Sequence, residues 1–172
     1  MSSKQAKELV LDQSASPAAT NPYERLQALG IALPKAPEPI GNFVTHVREG
    51  SLLYLSGQGP LDDGGHLHCG KVGAEVTIAE AYRHARVTGI NLIAVMHQAL
   101  GDLARVRRVV KLFGMVNASP DFTEHPKVVN GCSDLMVDVF GEAGRHARSA
   151  VGFGSLPKNI TVEIEAVVAV AD

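Results

Sequence analysis

Ile160-Thr161-Val162-Glu163-Ile164-Glu165-Ala166-Val167-Val168-Ala169-Val170 alternates along its length. Val162, Ile164, Ala166, Val168 and Val170 share one face of a strand, and Glu163 and Glu165 project to the other. Just upstream, Ser149–Phe153 reads as a second strand, with Gly154-Ser155-Leu156-Pro157-Lys158-Asn159 as the turn between them. A hairpin centred near Leu156 sets Arg148 opposite positions near 164, beside the two glutamates. Such an arginine is either an exposed cross-strand ion-pair partner, worth roughly 0–1 kcal/mol, or a guanidinium that reads an anion. In the second case a neighbouring carboxylate can move a proton or orient a water. Periodicity does not choose between the two.

Outward from this hairpin the pattern predicts a mixed α+β domain. Phe43, Val44 and Val47 lead into one strand and Leu52–Leu55 form the next, joined at Glu49-Gly50. Thr77-Ile78-Ala79-Glu80 is a capping box, and Ala81, Ala85, Thr88, Leu92, Val95 and Ala99 recur at steps of four and three. The spacing predicts a helix over residues 78–100, stopped at Gly101. Val106–Asn117 is β-branched and apolar; Val128, Cys132, Leu135, Met136, Val139 and Phe140 then mark a second long helix ended by Gly141. The order is ββαβαββ, with hairpins and therefore antiparallel pairing. Ahead of it Asn21-Pro22-Tyr23-Glu24 starts a short helix that Gly30 ends, and Pro34, Pro37 and Pro39 make an extended linker. The chain accordingly divides into an N-terminal extension, residues 1–39, loose or weakly helical through Thr20, and a domain over residues 40–172. The apolar row from Val162 to Val170, added to the earlier strands, exceeds what two helices cover, which predicts burial of sheet surface between subunits.

The 172 residues fit one domain with a real core. Lys plus Arg is 16 against 18 Asp plus Glu, a net charge of −2, and aromatics are 5% with no Trp. This composition disfavours nucleic acid, which calls for a basic face and stacking rings. The sequence has no charge-free apolar run long enough to span a membrane and no signal-peptide pattern, so a cytoplasmic location is expected. Cys69 and Cys132 stand in unlike contexts, one in a Gly-rich turn and one on the apolar side of a helix, with no need for a disulfide.

Three further motifs carry chemistry in principle. His66-Leu67-His68-Cys69 offers zinc-type ligands, but no second cluster completes a site, and it reads as a hairpin tip with two solvent-facing imidazoles. No metal is expected. Ser56-Gly57-Gln58-Gly59-Pro60 follows a strand without the lysine of a phosphate loop; it is either a tight turn or a set of backbone N–H groups and a hydroxyl offered to a polar ligand. Arg105, Arg107, Arg108 and Lys111 form a basic cluster that reads as a solvated sheet edge.

His146-Ala147-Arg148-Ser149-Ala150, Leu156-Pro157-Lys158 and Val162-Glu163-Ile164-Glu165-Ala166 together resemble the signature of the reactive-intermediate deaminase (YjgF/RidA) family, formerly labelled endoribonuclease or translation inhibitor. Gly41-Asn42-Phe43-Val44 and Leu55-Ser56-Gly57-Gln58 are similar to its first strands, and the likeness runs from about Ile40 to Val170. The resemblance implies a chorismate-mutase-like fold, a homotrimer with ligand clefts between subunits, and hydrolysis of enamines and imines such as 2-aminoacrylate to a 2-keto acid and ammonia. It further implies that Arg148 forks onto the substrate carboxylate and that Glu163 positions or activates water. Phe43, Ser56, Gly57 and Ala150 would line the same cleft, with a small carboxylate as the partner and no cofactor. Two positions depart from the family pattern: Ala150 stands where a cysteine is usual, and Phe43 where a tyrosine is usual. A non-catalytic carboxylate-binding protein is the alternative function, and an endoribonuclease the third.

Overall fold

The computed structural model describes residues 21–172; the segment through Thr20, read as a loose extension, lies outside them. Asn21 caps the first helix, α1 (Pro22–Ala28), its side-chain oxygen accepting from the Tyr23 N–H at 3.0 Å. The helix is docked. Leu26 is buried in the main core, and the Tyr23 hydroxyl accepts from the Leu103 N–H and lies 2.9 Å from His97 Nδ1. Ala36 is buried, and Ile31 and Leu33 pack on the same core. The core therefore reaches back across the boundary drawn between Pro39 and Ile40 and takes in α1.

Strands β1 (His46–Glu49) and β2 (Leu52–Gln58) form the expected hairpin, although Phe43 and Val44 precede β1 instead of lying in it. Helix α2 (Ile78–Leu100) has the capping box and the left-handed Gly101 terminus that its sequence prescribes. Strand β3 (Val106–Asn117) and helix α3 (His125–Phe140) follow, then β4 (Ala147–Phe153) and β5 (Val162–Val170). The class is α+β and the order ββαβαββ. Both long helices lie on one face of the sheet. They approach so closely that any side chain at Gly131 of α3 would run into the Tyr82 carbonyl of α2. Cys132 is fully buried at this contact, and burial pushes its thiol up to about 12. Among the described residues no helix is long and apolar enough to cross a membrane.

The sheet order is β1-β2-β5-β3-β4, antiparallel throughout except that β4 runs parallel to β3. This corrects the C-terminal hairpin. Helix α3 is a crossover, so it returns the chain parallel to β3 on that strand's far side. The connection from Gly154 to Thr161 then steps over the end of β3, and β5 pairs with β3 and β2 instead of β4. It is held there by Asn117 N–H on the Thr161 carbonyl and Ala118 N–H on the Phe153 carbonyl. Strand β3 is flanked by β4 only from Lys111 onward, so Arg107 and Arg108 stand exposed on a margin of the sheet as the sequence suggests, whereas Arg105 spends its guanidinium on the Leu100 and Ala171 carbonyls.

The helices do cover the row from Val162 to Val170, all of it buried. What they leave bare is the opposite face, where Val47, Tyr54 and Phe153 are exposed and Phe113 is half-buried. The apolar surplus expected from the sequence exists, but on the face that carries Glu163 and Glu165.

Candidate functional site

Glu163 stands on the bare face, opposite Met115 in the register of β5 with β3. Its carboxylate lies over the backbone of Gly57 on β2, where any Cβ would meet Glu163 Oε1 and come within 3.0 Å of its Cγ and Cδ. Only glycine leaves room for the carboxylate there. No hydrogen bond reaches that carboxylate among the described residues, and burial, with the Glu165 charge adding to it, raises its pKa above the ordinary carboxylate value. A base that is half-desolvated and unpaired is a stronger base.

Glu163 and Gly57 line a cleft of about 380 Å³ together with Phe43, whose ring is about half exposed. The structure thus joins three of the residues singled out by sequence. Ser56 sits one residue away, in an adjoining hollow of the bare face with Tyr54, Lys111 and Glu165. Its hydroxyl donates to the Val44 carbonyl at 2.6 Å, which ties the approach to β1 onto β2.

Arg148 and Ala150 are not in this cleft. Arg148 is in register with Leu112 and Ala150 with Gly114, and both point to the helix-covered face, Ala150 packing against the core. Two strand spacings across β3 and three residues along it separate Arg148 from Glu163, a Cα distance of roughly 14 Å with the side chains on opposite faces. The cross-strand ion pair does not form, and among the described residues Arg148 has no acidic partner. Its Nη1 instead donates to Asn130 Oδ1 at 2.8 Å and to Ser133 Oγ at 2.9 Å, both on α3. The chain of bonds continues from Ser133 to His146 Nε2 at 3.0 Å, while His146 Nδ1 lies 2.6 Å from the Gly144 carbonyl. A carbonyl only accepts, so Nδ1 carries the proton. Burial lowers the His146 pKa, with Arg148 adding to the effect, so Nε2 is bare and accepts from the Ser133 hydroxyl. One face of the guanidinium is thereby fixed by neutral oxygens, with Nη2 and Nε left for another partner. Asn130 and Ser133 were not foreseen; polar residues three apart within the apolar stretch of α3 were the available signal.

The His66–Cys69 tip forms, closed by Asp62 Oδ1 accepting from the His66 N–H, and Cys69 is exposed. Its imidazoles are not both solvent-facing: His68 stacks on His84 of α2 at 4.3 Å. Burial, and then the neighbouring His68, pushes His84 down to about 4. No group of three or more His, Cys, Asp or Glu side chains among the described residues converges on a metal position. The cleft also takes in Lys158, in a left-handed conformation (φ 53°) shared by Asn159, and residues of the proline segment that sequence reading treated as linker.

Five mixed strands under two helices, with a desolvated carboxylate on the bare face, define a chorismate-mutase-like protein. Residues 23–167 match the family model described as "YjgF/chorismate mutase-like, putative endoribonuclease", and the chain belongs to that YjgF/RidA family. Protein TCP17 of Trypanosoma cruzi is 49% identical over 83% of this chain and 90% of its own length. The 2-iminobutanoate/2-iminopropanoate deaminase of Salmonella typhimurium is 33% identical over 80% of this chain and 94% of its own. Among solved structures, an Agrobacterium tumefaciens protein of unknown function superposes with a TM-score of 0.82 at 45% identity, covering 87% of this chain and 92% of that one.

Proposed function

We propose that the protein hydrolyses the C=N bond of small 2-imino acids and their enamine tautomers, releasing a 2-keto acid and ammonia. The observation that carries this reading is Glu163: half-buried, unpaired, raised in pKa and seated over Gly57 in an accessible cleft. Relatives named 2-iminobutanoate/2-iminopropanoate deaminase support the reaction class.

An enamine first takes a proton at C3 to give the imine. Glu163 then accepts a proton from water as the oxygen bonds to C2 and the C=N electron pair moves onto nitrogen, which is protonated. Glu163 is the donor of that nitrogen proton and so becomes a carboxylate again. It then takes the hydroxyl proton of the carbinolamine and passes it to the nitrogen as the C–N bond breaks, so that the C2 carbonyl forms, ammonia leaves and the carboxylate is regenerated. Imine carbons are electrophilic enough that positioning and one base suffice, with no cofactor. The substrate carboxylate is held by Arg148 of a neighbouring subunit, whose Nη2 and Nε present the paired donors a carboxylate fits. The bare sheet face supports assembly as a homotrimer with the cleft between subunits. Phe43 closes one side of the cleft without the phenolic bond a tyrosine would add, and Ala150 contributes only its backbone.

The test generates 2-aminoacrylate in situ and follows its conversion to pyruvate. Glu163→Gln keeps size and hydrogen bonding but removes the base, so turnover is expected to fall by about 100-fold or more while 2-keto acid binding survives. Wild-type protein that binds 2-keto acids but accelerates no hydrolysis would replace the enzyme with a carboxylate-binding protein.

A further inference from the structure

The Glu163 cleft is larger and more apolar than a three-carbon imine needs. A three-carbon 2-imino acid has six heavy atoms; even at a full water volume of about 30 Å³ for each atom it fills about 180 Å³. The part of the cleft that one subunit supplies measures about 380 Å³, about twice what such a substrate fills. The polar members of its lining besides Glu163 are Glu38, Thr45, Gln58 and Lys158, and the apolar part includes Pro39, Ile40, Phe43, Leu61, Leu67 and Ile160. Two of these are large apolar residues left open to solvent, Ile40 at 75% exposure and Phe43 at 47%.

One wall comes from the proline segment, and it is firmly placed. Leu26 and Ala36 anchor the chain on either side of residues 27–35 in the main core, and Ile31 and Leu33 pack against that core between them. Pro37 and Pro39 fix their own φ and carry no N–H, so this wall is stiff and offers ring carbon at both positions, while Glu38 between them is largely exposed and spends its carboxylate on Lys35 at 2.6 Å. The opposite wall, Leu61 and Leu67, is a bridged pair closing the base of the His66–Cys69 tip. Asn91 of α2 holds it by donating to the Gly59 and Leu61 carbonyls at 3.0 and 2.9 Å.

We infer that residues 37–40, with Phe43, Leu61 and Leu67, form a side-chain subsite that makes this cleft selective for 2-imino acids with a branched or aromatic apolar side chain over those with a methyl group. The inference rests on the reading of the Glu163 cleft as the reaction site. Carboxylate and imine are common to all such substrates, so discrimination falls to the side chain, and each methylene buried favours the larger substrate roughly fourfold. Replacing methyl by isobutyl adds three carbons, for a preference of roughly 50-fold before imperfect burial is counted.

The experiment oxidises L-leucine, L-phenylalanine or L-alanine with an amino-acid oxidase, so that the three imines form in situ, and compares kcat/KM for their hydrolysis. Calorimetry with 4-methyl-2-oxopentanoate and with pyruvate runs in parallel. The leucine- and phenylalanine-derived imines are expected to lead the alanine-derived one by 10-fold or more, with the same order in keto-acid affinity. Ile40→Ser, at a position too exposed to matter for folding, is expected to shrink both ratios several-fold. Leu29→Ser, on an exposed apolar residue outside the cleft, is expected to leave them alone. Ratios near one, or a preference for the small substrate, would overturn the subsite. Absence of all hydrolysis would defeat the proposed reaction, and the keto-acid affinities would still decide the subsite, a Kd ratio near one counting against it.

Discussion

Replacing Gly57 by alanine separates the cost of folding from the cost of chemistry at a single methyl group. Gly57 lies in β2 outside the left-handed region, so its backbone accepts alanine without strain. The added Cβ meets the Glu163 carboxylate and lies 3.0 Å from two more of its carbons, so the whole end of that side chain must retreat by about 1 Å to reach ordinary contact. Leaving its rotamer costs about 0.5–1.5 kcal/mol, while alanine in a strand interior recovers about 0.5–1 kcal/mol of backbone entropy. Stability is therefore expected to change by no more than about 1 kcal/mol. A base displaced by about 1 Å loses on the order of 100-fold in rate, which is about 2.7 kcal/mol on the barrier. Urea unfolding and the coupled imine assay on the same preparation read the two quantities. Combining Gly57→Ala with Glu163→Gln is expected to add little to either alone, because both remove the same positioned base. Near-wild-type turnover in Gly57→Ala, or fully additive losses in the double variant, would refute the assignment of Glu163 to the reaction.

Arg148→Lys keeps the charge and loses the paired N–H geometry, so calorimetry is expected to show weaker 2-keto acid binding; Arg148→Ala is expected to lose roughly 1.5–3 kcal/mol. Unchanged binding in Arg148→Ala would sink the carboxylate role. Because His84 is held at about 4 against an ordinary 6.5, the unfolded chain binds a proton there that the native ring does not, and stability falls as pH drops through that window. His84→Gln is expected to flatten this part of the stability profile in urea melts between pH 7 and pH 4, and parallel profiles would refute the assignment. Sedimentation is expected to give a trimer at micromolar concentration, and Phe113→Lys on the bare face to dissociate it; a wild-type monomer would remove the inter-subunit cleft.

Local chemistry carried most of the secondary structure. Thr77 and Glu80 announce where α2 starts and Gly101 where it stops, and the period-two row of β5 declares its buried face because every second residue is a branched or small hydrophobe. Pairing was less legible. Adjacent strands in sequence suggest a hairpin, and nothing in residues 154–161 says that the connection is long enough to pass over β3, since that depends on α3 having already returned the chain beyond it. The same gap affected the site. Glu163 and Gly57 are neighbours only because β2 and β5 pair, whereas Arg148 and Glu163, fifteen residues apart in sequence, are parted by a strand contributed from elsewhere. The docking of the proline segment was hidden for a different reason. Proline excludes helix but says nothing against packing, and Ala36 and Leu33 use that extended shape to dock.

The lost ion pair sharpens the argument about Arg148. A guanidinium in a half-buried position is normally matched by a carboxylate, because neutral oxygens satisfy its donors without balancing its charge. Here Asn130 and Ser133 take one nitrogen, the neutral His146 lies behind them, and among the described residues no acid comes within ion-pair reach. On the proposed reading the counter-charge is a ligand carboxylate, and the competing source is an acidic side chain of another copy. The two sources leave different marks on Arg148→Ala. Loss of a ligand contact weakens keto-acid binding and spares the assembly, whereas loss of an inter-subunit ion pair lowers the sedimenting mass. Retained mass with lost binding places the substrate carboxylate on Arg148 and, given the roughly 14 Å that part it from Glu163 within one chain, requires two chains to build each cleft.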